Sequence, residues 1–332
     1  MTDLARRVLA GETRSAARLC RLVDERTPGY REHLRALGPG GGARVVGVTG
    51  SPGAGKSTLV DRLVAGLRAR GLRVGVVAVD PSSPYTGGAI LGDRIRMQQH
   101  FEDPDVFIRS VATRGAHGGL SRSTRDVVRV LEAWGARVVL VETVGVGQDE
   151  LDVQLVAETT IVVSAPGQGD DVQAIKAGIL EIADVFVVNK ADRPAAENAV
   201  RDLENMLALG QLVPAPSTGH SPARPSRAAG GTDGGFSPRV LKTVATRGEG
   251  VPELLGALDE HAEYAKTEAG RASALGRRAR LAARLLVDAL GEAATAELAS
   301  DLESAAARSL RGNADLDDEI DTLVRKFRHE GG

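Results

Sequence analysis

Short runs of β-branched and other apolar residues alternate along the chain with longer stretches in which apolar residues recur every three or four positions. The short runs lie at residues 45–49, 74–79, 106–108, 138–141, 160–163, 185–188 and 240–245. A continuous apolar run is typical of a strand buried on both faces, and the stretches between the runs have the spacing of amphipathic helices. The pattern therefore predicts an α/β fold with a mostly parallel sheet covered by helices.

The two ends of the chain predict helices outside this sheet. Residues 1–42 have helical spacing and end in a glycine-rich run, which predicts an N-terminal helical extension. Residues 43–266 form the predicted central domain. Residues 267–332 form a helical arm, whose small core favours packing against the main domain or a second copy of the chain. Residues 211–238 contain five of the 14 prolines and no periodicity, which predicts a mobile surface insertion.

Composition excludes several classes of protein. The 332 residues carry a formal net charge of -2, so no overall positive field attracts nucleic acid or an anionic membrane surface. Cys20 is the single cysteine, which excludes internal disulfides and a zinc site built from several thiolates. No apolar run approaches the roughly 20 residues that a membrane-spanning helix needs. We therefore expect a cytoplasmic protein with neither nucleic acid nor membrane among its partners.

A phosphate-binding motif follows the first apolar run. It matches G-x-x-x-x-G-K-[ST] and consists of Gly50, Ser51, Pro52, Gly53, Ala54, Gly55, Lys56 and Ser57, with Thr58 next in the predicted helix. In such a loop, backbone N–H groups and the positive end of the helix dipole surround phosphate oxygens. Lys56 is expected to reach the β- and γ-phosphates, and the hydroxyl of Ser57 is expected to bind Mg²⁺. We call residues 50–57 the phosphate loop.

A second motif selects the base. Asn189, Lys190 and Asp192 form N-K-x-D directly after the run at 185–188, where an open α/β sheet places its ligands. The Asp192 carboxylate can accept hydrogen bonds from N1–H and the 2-amino group of guanine, whereas adenine offers neither donor, so the motif predicts GTP rather than ATP. Ala245 lies where a further base-contacting loop can be placed, although a plain strand end explains it equally well.

Three carboxylates are candidates for holding Mg²⁺ or orienting the attacking water. Asp80 and Glu142 end predicted strands, and Asp93 lies between them; a helix cap or a solvated loop charge is the alternative for each. Val146 occupies the position at which Ras-like enzymes place a water-orienting Gln. Without that group we expect slow intrinsic hydrolysis, on the order of 10⁻⁴ to 10⁻² per second.

Together these segments resemble the MeaB/ArgK/MMAA family of GTPases. The resemblance is carried by the stretches GVTGSPGAGKSTL, VDPSSPYTGGAILGDRIRM, VETVGVGQDE and APGQGDDVQAIKAGILEIADVFVVNKAD. It implies a P-loop G domain with flanking helical extensions that forms a homodimer through the C-terminal arm. It also implies a chaperone for an adenosylcobalamin-dependent acyl-CoA mutase, usually methylmalonyl-CoA mutase. In that role, GTP binding and hydrolysis gate cofactor loading and protect or reactivate the mutase.

The resemblance also assigns roles to individual residues. It makes Asp80, Asp93 and Glu142 the candidate Mg²⁺-binding or catalytic carboxylates, and Lys56 of the phosphate loop is the further catalytic candidate. It further implies a switch segment that communicates with the mutase, formed by Gln168, Gly169, Asp170 and Asp171 and extending to Lys176. A glycine-rich, acidic stretch after a strand can undergo an order–disorder transition, although an ordinary strand-to-helix connection is the alternative.

Three other functions compete with this interpretation. A nickel-insertion GTPase shares the phosphate loop, but it needs thiolate or imidazole ligands, and here the six histidines are scattered and Cys20 is alone. An ATP-dependent kinase is opposed by Asp192. The third is a scaffold that binds nucleotide without hydrolysing it. Such a scaffold would differ from a GTPase because phosphate release would stay at the rate measured in buffer alone, even when the client mutase is present.

Overall fold

The chain divides into two compact units, Met1–Arg277 and Arg278–Gly332. The computed structural model describes residues 1–40, 42–80, 97, 99–112, 122–143, 149–167, 182–212, 236–310, 319–324 and 327. Several predictions fall outside these residues: Asp93, Val146, the switch segment from Gln168 to Lys176, and residues 213–235 of the insertion.

A seven-stranded parallel sheet organises the first unit. Its strands are β1 (Arg44–Gly50), β2 (Val74–Asp80), β3 (Val106–Ala112), β4 (Val138–Thr143), β5 (Thr159–Ser164), β6 (Val185–Asn189) and β7 (Arg239–Thr243). Their order across the sheet is β3-β2-β4-β1-β5-β6-β7, and every neighbouring pair is parallel. The predicted α/β fold and all seven predicted strands are confirmed, and β1 occupies the centre.

Ten helices have both ends in the described part of the chain, and residues 319–324 are helical as well. The ten are α1 (Asp3–Leu9), α2 (Thr13–Asp24), α3 (Tyr30–Ala36), α4 (Lys56–Ala69), α5 (Arg122–Trp134), α6 (Asp149–Val156), α7 (Ala196–Leu212), α8 (Val251–Ala265), α9 (Glu268–Glu297) and α10 (Ala299–Leu310). The predicted boundary after residue 266 falls in the turn between α8 and α9, whereas the division into two units falls within α9. None of the described helices is both long enough and apolar enough to cross a membrane.

Alternate residues of the strands enter two hydrophobic cores, one on each face of the sheet. On β4, Val139 and Val141 belong to the first core, whereas Val138 and Leu140 belong to the second. The first core includes side chains from α1, α2, α3, α5, α6 and α7, and the second includes side chains from α4 and α8. Burial on both faces explains why the strands are continuous apolar runs in the sequence.

The N-terminal helices pack against α5 within the first unit. Helix α2 contacts α5 and buries Leu19 and Cys20. Burial raises the pKa of the Cys20 thiol to about 12, so this thiol stays protonated and unreactive. The glycine-rich segment after α3 also lies against α5, because the guanidinium of Arg129 donates a hydrogen bond to the Gly38 carbonyl at 2.9 Å.

The last strand is shorter than its apolar run. The sequence predicts a strand over residues 240–245, but β7 ends at Thr243 because Val244 pairs antiparallel with Glu249 in a tight turn. Gly250 closes this turn at φ +76°, and a Cβ atom there would lie 2.0 Å from the Lys242 carbonyl oxygen. We call residues 244–250, which follow β7, the base loop.

The second unit contains a small core and an exposed apolar surface. Leu298, Ala305 and Leu323 are buried together, with Leu302 and Phe327 packed beside them. On α9, the side chains of Leu286, Val287 and Leu290 are more than half exposed. Their positions at i, i+1 and i+4 place them on one side of the helix.

Candidate nucleotide-binding site

Four chain segments meet at the carboxyl edge of the sheet. The phosphate loop follows β1, Glu142 lies near the end of β4, Asn189 ends β6, and the base loop follows β7. Because all strands are parallel, these segments share one edge, which is where open α/β sheets bind ligands.

The phosphate loop needs glycine at residues 50 and 55. Gly50 has φ +123°, and a Cβ atom there would lie 2.0 Å from the Val163 carbonyl oxygen of the adjacent strand. Gly55 has φ +93° and precedes α4 as its N-cap; a Cβ atom there would lie 2.5 Å from the side-chain nitrogen of Asn189. The loop therefore passes so close to β5 and β6 that only hydrogen fits.

Lys56 lies inside this loop. Its side chain is buried, with the residue only 6% exposed, and Nζ donates to the carbonyl oxygens of Gly50 at 2.6 Å and Ser51 at 3.0 Å. Lys56 is also the first residue of α4, whose N-terminus has no side-chain cap. A buried ammonium beside an uncapped helix N-terminus is suited to binding an anion.

Ser57 and Glu142 form a compact pair of oxygen donors. The Ser57 hydroxyl donates to Glu142 Oε1 at 2.6 Å, and Glu142 is only 4% exposed. Hydroxyl and carboxylate oxygens are the ligands Mg²⁺ prefers, together with phosphate and water. Within the described residues, no group of three His, Cys, Asp or Glu side chains lies close enough to hold a metal unaided. The pair thus fits a Mg²⁺ ion completed by phosphate oxygens and water.

Of the other two predicted carboxylates, the structure describes the backbone of Asp80 but not Asp93. Asp80 is the last residue of β2 and is opposite Ala112 of β3, so its backbone lies at the same edge of the sheet. Asp93 lies outside the described residues. Glu142 is thus the one predicted carboxylate whose contacts with the phosphate loop are described.

Asn189 connects the phosphate loop with the base loop. Its side-chain nitrogen donates to the Ala54 carbonyl at 2.8 Å, and its side-chain oxygen accepts from the Thr243 hydroxyl and from the Ala245 N–H, each at 3.1 Å. Asn189 is 2% exposed, so these bonds are made in the protein interior. Its amide joins segments more than 50 residues apart in sequence, which fixes the distance between the two loops.

Lys190 and Asp192 lie on the exposed side of this connection. Lys190 has φ +57°, and its Nζ donates to the Gly53 carbonyl at 2.6 Å. The Asp192 side chain is 43% exposed, and its Oδ2 lies 3.8 Å from a guanidinium nitrogen of Arg247. Asp192 is therefore accessible to a ligand, whereas Asn189 is occupied by protein contacts.

A cavity of about 170 Å³ lies between the two loops. Gly55 and Thr58 line it from the phosphate loop and α4, Lys190 and Asp192 line it after β6, and Ala245 lines it from the base loop. The structure therefore brings both sequence motifs to one cavity. The weakest of the sequence assignments, Ala245, is part of its wall.

Sequence reasoning missed one residue that contacts this region. The guanidinium of Arg62, on α4, donates to the carbonyl oxygens of Ala245 at 3.0 Å and Thr246 at 3.1 Å. No motif includes this arginine, and its partners are backbone atoms 183 and 184 residues away, so the pattern contains no signal for the contact.

Three named proteins are similar to this chain in sequence. A protein of Pyrococcus abyssi proposed to be a GTPase is 48% identical over 263 residues, which cover 79% of this chain and 76% of that protein. GTPase ArgK of Escherichia coli is 43% identical over 197 residues, 58% of this chain and 60% of that protein. A mouse protein named "Methylmalonic aciduria type A homolog, mitochondrial" is 35% identical over 215 residues, which cover 65% of this chain and 48% of that protein.

A solved structure and a family description complete the comparison. The crystal structure of LAO/AO transport system kinase covers 98% of this chain and 97% of its own with a TM-score of 0.68; at 24% identity, this likeness shows the fold alone. The sequence profile described as "Methylmalonyl Co-A mutase-associated GTPase MeaB" matches residues 16–299. The chain therefore belongs to the MeaB family of GTPases.

Proposed function

We propose that GTP binds with its triphosphate in the phosphate loop and its guanine in the cavity beside Asp192. The observation that carries this proposal is the position of Asn189, whose amide connects the two loops around that cavity. A phosphate loop alone accepts many nucleotides. A rigid connection to a second loop that carries an accessible carboxylate supports selection of the base as well.

Each predicted residue has a role in this proposal. The N–H groups of the phosphate loop and the ammonium of Lys56 hold the β- and γ-phosphates. Ser57 and Glu142 hold Mg²⁺, and Asp80 and Asp93 are further candidates for binding it or orienting the attacking water. When bound, Mg²⁺ neutralises charge on the transferring phosphoryl group. Lys190 stabilises the phosphate loop by donating a hydrogen bond to the Gly53 carbonyl. Asp192 accepts hydrogen bonds from N1–H and the 2-amino group of guanine.

We further propose that the client is an adenosylcobalamin-dependent acyl-CoA mutase. The support comes from the comparisons: the matching family is described as mutase-associated, and the mouse relative is named for methylmalonic aciduria. Methylmalonyl-CoA mutase is accordingly the first candidate. GTP binding and hydrolysis would gate cofactor loading and protect or reactivate the mutase, with residues 168–176 as the communicating segment.

Turnover measurements test this partnership. We expect the chain alone to hydrolyse GTP slowly, on the order of 10⁻⁴ to 10⁻² per second, because only the partner completes the arrangement around the attacking water. One purified mutase among methylmalonyl-, isobutyryl- and ethylmalonyl-CoA mutases should accelerate phosphate release by at least about tenfold. This acceleration is much smaller than the roughly 10⁵-fold effect of a GTPase-activating protein on a Ras-like enzyme. The Glu142→Gln variant with the same mutase is the matched control. If phosphate release with every mutase stays at the rate measured in buffer without protein, the chain is a non-catalytic scaffold instead.

We propose that two copies of the chain associate through α9. Leu286 and Leu290 are 60% and 51% exposed and, with Val287, form an apolar surface that water solvates poorly. Sedimentation should therefore give twice the mass of one chain. Replacing both leucines by glutamate should give the mass of one chain, because two charges would be buried without partners. Thr295→Glu, at an exposed position on the same helix, is the control. A monomeric wild-type chain would contradict the proposal.

A further inference from the structure

Arg62 connects the helix after the phosphate loop with the base loop. It lies in α4, five residues after Ser57, and its side chain is partly buried. Nε donates to the Ala245 carbonyl at 3.0 Å and Nη2 donates to the Thr246 carbonyl at 3.1 Å. A guanidinium presents its donors in one rigid plane, so two bonds to successive carbonyls restrict the backbone far more than one flexible contact does.

Those two carbonyls belong to residues that line the cavity. Ala245 and Thr246 form its base-loop side, and Thr58 of α4 lines it as well. The C=O and N–H of one trans peptide point in opposite directions. Holding the Ala245 carbonyl against Arg62 therefore also fixes the direction of the N–H of Thr246, a residue of the cavity wall.

The base loop is held from two sides. Asn189 accepts the Ala245 N–H from β6, while Arg62 donates to the next two carbonyls from α4. Within the loop, Arg247 pairs with Glu249 at 2.7 Å, and it also lies 3.8 Å from Asp192. Among the described contacts, Arg62 is thus the direct link between the helix that begins at the phosphate loop and the backbone of the base loop.

We propose that Arg62 is a positioning residue for guanine recognition, acting through the backbone of Ala245 and Thr246. The proposal rests on the proposed function, since it assumes that guanine occupies this cavity. In the described contacts, Arg62 bonds neither to the phosphate loop nor to Glu142, so we expect its effect to fall on base binding. This property separates it from the residues of the phosphate loop.

Comparing a guanine nucleotide with an inorganic polyphosphate tests this role. Arg62→Met keeps most of the aliphatic stem but removes both donors. Calorimetry should show about tenfold weaker GDP binding, the loss expected when charge-assisted hydrogen bonds to a recognition loop are removed at a partly exposed site. Affinity for inorganic tripolyphosphate with Mg²⁺ should change less than twofold. Arg62→Lys, which retains one donor, should recover part of the GDP affinity.

A matched control lies directly after the same helix. Arg70→Met removes an arginine that pairs with Asp259 at 2.7 Å, away from the cavity, and should bind both ligands as the wild type does. Two results would overturn the role of Arg62: GDP affinity within twofold of the wild type, or equal losses for GDP and tripolyphosphate. If the wild-type chain binds no GDP, the proposed function fails as well, whereas normal GDP binding by Arg62→Met removes only the present inference.

Discussion

Lys56→Ala should abolish guanine-nucleotide binding. The Lys56 ammonium is buried and is held by the Gly50 and Ser51 carbonyls, at the N-terminus of α4. Exchanging these contacts for phosphate oxygens creates charge-assisted hydrogen bonds. At about 1.5–3 kcal/mol each, two such bonds correspond to a roughly 100-fold or larger loss of affinity. Titration of GDP into the variant by calorimetry measures this loss directly.

The control for this variant separates binding from folding. Lys266→Ala removes a lysine at the end of α8 that pairs with Glu263 on the surface, and it should bind GDP as the wild type does. Trp134 is the single tryptophan, is buried, and has the Arg73 guanidinium 4.7 Å from its ring centroid, so its fluorescence reports unfolding of the first unit. A folded Lys56→Ala protein with undiminished GDP affinity would contradict the assignment of nucleotide binding to the phosphate loop.

Asp192→Asn should move the base preference from guanine toward xanthine. The Asp192 carboxylate is accessible and lines the cavity, where it can accept from N1–H and the 2-amino group of guanine. Asparagine replaces one acceptor by a donor, which opposes the 2-amino group of guanine but matches the 2-oxo group of xanthine. Removing one hydrogen bond to a charged acceptor, at about 1.5–3 kcal/mol, weakens GDP binding roughly 10- to 100-fold.

Competition between GDP and xanthosine diphosphate measures this change. The same substitution at Asp202, an exposed position on α7, leaves the cavity unaltered and should preserve the preference for GDP. Since the carboxylate of Asp192 also lies 3.8 Å from Arg247, a small part of the effect comes from losing that attraction. An Asp192→Asn variant with unchanged base preference would contradict the assignment of the cavity to guanine.

The sequence predicts the sheet well, and the reason is physical. Strands such as β4 are buried on both faces, so they need continuous apolar runs, and such runs are visible without any knowledge of tertiary contacts. The end of β7 is the exception. Val244 continues the apolar run, but its pairing with Glu249 depends on a turn that closes at Gly250, and periodicity does not report such a turn.

The candidate site is predictable where a motif contains its chemistry. The phosphate loop and Asp192 were identified because particular residue types at a fixed spacing are needed to surround phosphate or to accept from guanine. The connection made by Asn189 and the contact of Arg62 have no such signal, because their partners are mainly backbone atoms that only folding brings together. Tertiary contacts to backbone leave no trace in the identity of the contacted residue.

Calorimetric titration of the wild-type chain with GDP, GTP and ATP in the presence of Mg²⁺ shows whether the cavity selects guanine. We expect saturable heat for both guanine nucleotides and at least about tenfold weaker binding of ATP, since adenine leaves the Asp192 carboxylate without its two donors. Equal affinity for ATP and GTP, or no heat from any of the three at millimolar concentration, would contradict this expectation.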